Sequence, residues 1–162
     1  MLHSNEPSTF IRRAGPGDAE TIATLVGELL SEIMQTTGVA AFEFNQTATQ
    51  NRALDLLERE LYVVFIARHP KTTAETGFIS LCETHALYAE GAFGIIPEFF
   101  VRPAYRSFGT GAALLETARH FGQTKGARQR LIRIDRVKGV SLDPQDVADF
   151  HGCLLCAWGG AG

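Results

Sequence analysis

The stretch from Ala92 to Gly111 constrains this chain more than any other. Ala92 to Val101 is apolar enough to be a strand, yet Pro97 sits inside it. Proline has no N–H to give to a ladder, so a strand that keeps one must bulge or splay at that point. Arg102-Pro103-Ala104-Tyr105-Arg106 then makes a polar turn, and Gly109-Thr110-Gly111 opens a segment with Leu114, Leu115, Ala118 and Phe121 at helical spacing. The order is broken strand, glycine turn, helix.

The rest of the chain fits around that unit. Phe10 to Ala14 reads as a short strand ended by Gly15-Pro16-Gly17. Asp18 is placed as the N-cap of a helix whose apolar face is Ile22, Leu25, Val26, Leu29, Leu30 and Ile33. A second helix is suggested by Ala53, Leu54, Leu56, Leu57 and Leu61. Tyr62–Ala67 and Gly77–Cys82 read as strands joined by a turn at His69-Pro70-Lys71, and Leu131–Ile134 as a later strand. The fold class is therefore α/β (α+β), a single mixed, mostly antiparallel sheet flanked by helices and splayed near Pro97. At 162 residues the whole chain, 1–162, suits one domain.

Composition narrows the function. The formal net charge is -3 with no run of Lys or Arg, so no nucleic-acid partner is expected. No apolar stretch is long enough for a membrane span, and the amino terminus has no secretory pattern, which makes cytoplasmic the expected location. Three cysteines, Cys82, Cys153 and Cys156, are an odd set and are expected as free thiols. Cys153-Leu154-Leu155-Cys156 with His151 is short of the four ligands of a structural zinc site, so no metal is expected.

A helix N-terminus offers unpaired N–H groups and partial positive charge, and glycine lets the backbone come close to an anion there. Gly109 and Gly111 provide that closeness, with Arg106 as a charged donor beside them. No Lys-Ser or Lys-Thr follows Gly111, and the spacing is not Gly-x-Gly-x-x-Gly, so neither a nucleotide P-loop nor a dinucleotide fingerprint fits. Glycines also serve tight turns and close packing, which is the plainer reading of a lone case.

The longer run Glu98-Phe99-Phe100-Val101-Arg102-Pro103-Ala104-Tyr105-Arg106-Ser107-Phe108-Gly109-Thr110-Gly111 resembles the GNAT (GCN5-related N-acetyltransferase) superfamily. Its members have an apolar-apolar-Val strand end, a Pro-x-Tyr-Arg turn, and Arg-or-Gln-x-x-Gly-x-Gly-or-Ala. The resemblance implies an acetyl-CoA-dependent N-acyltransferase acting on a primary amine of a small molecule. By the same resemblance the backbone of Phe100 and Val101 would pair with the pantetheine arm. The amides of Ser107, Phe108, Gly109, Thr110 and Gly111 would hold the pyrophosphate, flanked by Arg106. For Phe99, Phe100 and Val101 the plain alternative is core packing, which is compatible because only their backbone need act.

An alkylamine is mostly protonated at neutral pH, so transfer needs a base, and Glu98 is the candidate; the alternative for a strand Glu is a surface residue. A backbone N–H near Phe100 and Val101 is the candidate oxyanion donor. Many family members use a Tyr as the acid, and no Tyr follows Tyr105. Asp143-Pro144-Gln145-Asp146 reads as a helix start, with Val147, Phe150, His151, Leu154, Leu155 and Trp158 on one face, which puts His151 near the family's Tyr. His151 is therefore the second catalytic candidate, against a packed or exposed histidine.

Segment 136–162 is shortened against the family pattern, which continues into two more strands. The open sheet edge this implies calls for a homodimer partner, an unusual packing of the tail, or an incomplete cofactor site. By the same resemblance residues between Ile33 and Arg52 would line the acceptor's entrance, and Glu28, Glu32 and Glu43 are available to attract a cation, although such residues are commonly just solvated. The Phe99-Phe100-Val101 and Arg106-Ser107-Phe108-Gly109 details are similar to polyamine acetyltransferases. The alternatives to an enzyme are a non-catalytic acetyl-CoA or CoA sensor and a structural subunit of the same fold.

Overall fold

The computed structural model describes residues 9–85, 87, 92–125 and 154–155. In chain order the elements are β1 (Phe10–Arg13), α1 (Ala19–Thr37), α2 (Gln46–Glu58), β2 (Tyr62–Arg68), β3 (Glu75–His85), β4 (Ala92–Ile95), β5 (Glu98–Val101), α3 (Thr110–Thr124) and β6 (Leu154–Leu155). One antiparallel sheet runs β1-β2-β3-β5-β6, and β4 shares with β5 the same partner, β3. It is the mixed α/β arrangement expected, an open and mostly antiparallel sheet flanked by helices.

The strand containing Pro97 breaks where the proline requires. Cys82 lies opposite Ile95 and Ile79 opposite Phe99, so three steps along β3 face four along its partner. The extra residue is a bulge at Ile96-Pro97, and beyond it the register is shifted by one. Ser80 fills the gap in the ladder, its hydroxyl accepting from the Glu98 N–H at 3.0 Å and donating to the Glu98 carboxylate. At the other end of the same pair the strands are pressed together. A Cβ on Gly77 would stand 2.4 Å from the Phe100 carbonyl oxygen, so no larger residue fits without moving backbone.

Strand alternation sorts the core into two faces. Val64, Ile66, Phe78 and Phe100 meet Ile22, Leu25 and Leu29 of α1, with Ala53 and Leu57 of α2 packed against them. Phe65, Ile79 and Phe99 on the other face meet Leu114 and Ala118 of α3. Leu25 and Leu29 are wholly buried, and each contributes about 1.5–3 kcal/mol of apolar burial. Gly27 of α1 lies under the ring of Phe44: a Cβ there would meet the ring's far edge at 2.7 Å.

Three local expectations change. Asp18 is the N-cap residue of α1, but its carboxylate makes no cap bond to the helix. It accepts from both Nη atoms of Arg12, at 2.6 and 2.8 Å, and from the Gly15 N–H at 2.8 Å, tying β1 to the turn instead. The second helix begins at Gln46 rather than near Ala53, because the Asn45 side chain accepts from the Ala48 N–H at 2.8 Å and starts it early. Leu154 and Leu155 are a strand and not part of a helix, paired with Phe99 and Glu98. A short apolar run suits either state, and the unshared edge of β5 decides it. The chain's own tail thus covers that length of edge. The proposed strand at Leu131–Ile134, His151, Cys153 and Cys156 lie outside the described residues.

Candidate active site

The turn after β5 is fixed to α1 by two ion pairs. Arg102 gives Nε and Nη2 to the two carboxylate oxygens of Glu28, at 2.8 and 2.7 Å, and Nη1 to the Glu75 carbonyl at 2.7 Å. Arg106 gives Nη2 to Glu32 at 2.6 Å and Nε to the Val101 carbonyl at 2.8 Å, with its guanidinium over the Phe100 ring. Glu28 and Glu32 are one helical turn apart, so the same face of α1 presents both carboxylates to both arginines. Glu28 and Glu32 are therefore not the solvated charges of the sequence reading, and Arg106 is turned toward α1 rather than outward.

Past this anchor the backbone curls. Ser107 has φ 68°, uncommon for a residue with a side chain, and Gly109 has φ 80°. These two left-handed residues lead into α3, whose first turn has no side-chain cap. The first helical bond runs from the Ala113 N–H to the Gly109 carbonyl at 3.0 Å. No side chain caps the amides of Thr110, Gly111 and Ala112. Three N–H groups at a helix start form a cradle for an anion. Gly111 also lets α3 sit close to the sheet, since a Cβ there would be 3.3 Å from the Phe99 ring. Phe108, on the same turn, is largely exposed. The side chains of Phe99 and Phe100 are buried, as their plain reading required.

Glu98 and Phe100 point to the α1/α2 face. There the described residues bound a cavity of about 320 Å³, between α1, α2 and the sheet. Its walls are mainly apolar, among them Val26, Leu30, Phe42, Phe44 and Leu56, while Tyr62, Ser80 and Glu98 make a polar corner. Burial pushes the Glu98 carboxyl up from its ordinary value, and the Ser80 hydroxyl offsets part of that. The Tyr62 phenol is pushed far up, first by burial and then by the charges of Glu98 and Cys82. Tyr62 thus stays neutral, and a phenol raised this far yields its proton to a thiolate only uphill.

Tyr62 and Ser80 are the members of this corner that sequence reasoning missed. A serine amid Phe78-Ile79-Ser80-Leu81 was the available signal, a polar residue on the buried face of an apolar strand. Glu98 and the Ser107–Gly111 turn, singled out from sequence, lie at the two ends of one strand-turn-helix unit. Among the described residues no group of His, Cys, Asp and Glu is arranged to hold a metal ion. None of the helices there is long and apolar enough to cross a membrane.

Solved structures share this arrangement. An aminoglycoside acetyltransferase from an uncultured soil metagenomic sample is 17% identical over 82% of each chain, with a TM-score of 0.61. An aminoglycoside N-acetyltransferase in complex with CoA is 18% identical over 79% of this chain and 78% of its own, at 0.60. A ribosomal-protein-alanine N-acetyltransferase from Brucella melitensis biovar Abortus 2308 is 15% identical over 75% and 76%, at 0.57. The chain has the GNAT acetyltransferase fold. At the level of sequence, no family model and no curated protein matches it. On a GNAT fold the bulge at Pro97 and the uncapped start of α3 occupy one continuous strand-turn-helix unit, and the cavity adjoins its strand.

Proposed function

We propose that the protein is an N-acetyltransferase moving the acetyl group of acetyl-CoA to a primary amine of a small molecule. The observation that carries this reading is Glu98: a half-buried carboxyl with a raised pKa, in a cavity, on the strand that leads to the amide cradle of α3. The cradle suits a diphosphate, because the first turn of α3 carries no side-chain cap and Ser107 and Gly109 curve the backbone before it. Acetyl-CoA supplies the activated acetyl group. Arg106 acts on the cradle from behind, holding the turn through Glu32 and Val101.

Glu98 takes the proton that an ammonium must lose before its nitrogen can attack the thioester carbon. A carboxyl raised toward neutrality is the better base for that work. Ser80 holds Glu98 in place, and Tyr62 adds a neutral donor in the same corner. The new C–N bond replaces the C–S bond, and CoA leaves as the thiol.

The test is calorimetric titration with acetyl-CoA, followed by thiol release on adding amines. Gly109 is a poor place for a variant, since at φ 80° any side chain is strained. Phe108→Glu is cleaner: the residue is exposed, and an acid at a helix start does not destabilise the fold. Phe108→Glu is expected to weaken acetyl-CoA binding roughly tenfold by repelling the diphosphate while leaving the thermal midpoint unchanged or higher. No binding by the native chain at millimolar acetyl-CoA would overturn the reading. Binding without thiol release for any amine would favour a sensor.

A further inference from the structure

The cavity around Glu98 carries an inference about the acceptor, one that rests on the transfer reading above. Its volume is about 320 Å³. An apolar cavity of about 150 Å³ takes one benzene ring. There is room for a ring and a short arm, and a molecule of several sugar rings would have to extend past the rim.

Charge points the same way. A polycation needs a carboxylate for each ammonium it buries, since an unpaired buried charge is costly. Two of the acids that the sequence offered, Glu28 and Glu32, are already paired with Arg102 and Arg106. Glu43 and Arg52 are exposed members of the lining and bring opposite charges, so the described part of the rim is balanced. Away from that rim Glu98 is the one charged group among the described lining residues, in a corner with neutral Tyr62 and Ser80, and burial disfavours its charge. One carboxyl matches one ammonium. A second ammonium of a polyamine would lie against Val26, Leu30, Phe42 or Leu56 with no counter-charge.

We infer that the acceptor is a monoamine on an apolar body, an arylalkylamine of about the size of 2-phenylethylamine, rather than a polyamine or an aminoglycoside. The ring lies against Phe42, Phe44 and Leu56, and the nitrogen reaches Glu98 in the polar corner.

The experiment uses the full chain and measures thiol release from saturating acetyl-CoA with 2-phenylethylamine, propylamine, spermidine and an aminoglycoside. The expected result is a kcat/KM for 2-phenylethylamine at least about tenfold above each of the others. Two variants read the walls. Ala53→Leu, which narrows the cavity from α2, is expected to raise KM for 2-phenylethylamine about tenfold more than KM for propylamine. Phe44→Ala, at a partly exposed position where loss of the fold is not a concern, is expected to shrink the preference for 2-phenylethylamine over propylamine severalfold. Spermidine or the aminoglycoside turned over as well as or better than 2-phenylethylamine overturns the inference and leaves the transfer reading standing. A preference for 2-phenylethylamine that Phe44→Ala leaves unchanged overturns it too. Acetyl-CoA that does not bind at all overturns the reading beneath it, and calorimetry separates that case.

Discussion

The two ends of the β3–β5 pair are built on opposite terms. At Gly77 the strands approach until only a hydrogen fits under the Phe100 carbonyl, and Arg102 bonds across to the Thr76 and Glu75 carbonyls. Three residues along β3, at Ser80 and Glu98, the ladder is interrupted and a side chain supplies the missing acceptor. At the tight end backbone meets backbone; the open end gains a cavity and a carboxyl that burial makes harder to ionise. A catalytic group set at a bulge needs such a fixed point nearby, or the bulge would slide its register.

Three substitutions break or sharpen this contrast. The largest effect is expected at the open end. Glu98→Gln removes the proposed base without changing size and should lower kcat about 10³-fold, with KM for acetyl-CoA nearly unchanged, as read by thiol release. Its pH dependence has a definite sign. The native form holds the Glu98 proton more tightly than the unfolded chain does, so ionising the group costs stability as pH rises from its ordinary value through the raised one. The thermal midpoint of Glu98→Gln should therefore gain on that of the native protein across that window, while native activity rises over the same window. A midpoint difference flat with pH would mean that Glu98 is not held in a desolvated place.

At the tight end Gly77→Ala should cost about 2–4 kcal/mol, because the contact at 2.4 Å is with backbone and cannot be relieved by a rotamer. Chemical denaturation measures it, and a loss under about 1 kcal/mol would show the strand pair to be softer than its geometry. The smallest effect is expected between the two ends. Glu32→Gln weakens a partly buried ion pair and, after allowance for solvent screening, should cost about 1 kcal/mol. It should also loosen acetyl-CoA binding a fewfold by releasing Arg106 and the turn that follows. An unchanged affinity would mean that the turn holds its shape without that anchor.

Much of the frame was legible in the chain. Pro97 announced the break because proline's missing donor is a local fact, independent of tertiary context. Gly109 and Gly111 announced the cradle for the same kind of reason. What stayed hidden is relational. Glu28 and Glu32 are separated from Arg102 and Arg106 by 74 residues in each pair, and nothing in helical spacing says which acids will find partners. Tyr62 became visible only when the fold set it in one cavity with Glu98, and Leu154-Leu155 reads as helix until an unpaired strand edge is known to await it. Asp18 is the N-cap as read, but Arg12 and the Gly15 N–H take the carboxylate that would have capped the helix.

The contact between Gly27 and Phe44 bears on how such a protein diversifies. Gly27 is buried in α1, on the far side of the cavity wall from the chemistry, and the atoms facing it are the outer edge of one flexible ring. A single methyl there would move the ring rather than the helix. The position of a ring that lines the cavity is thus set from Gly27, which does not itself line it. One codon change there would reshape the cavity and leave the corner of Tyr62, Ser80 and Glu98 as it is.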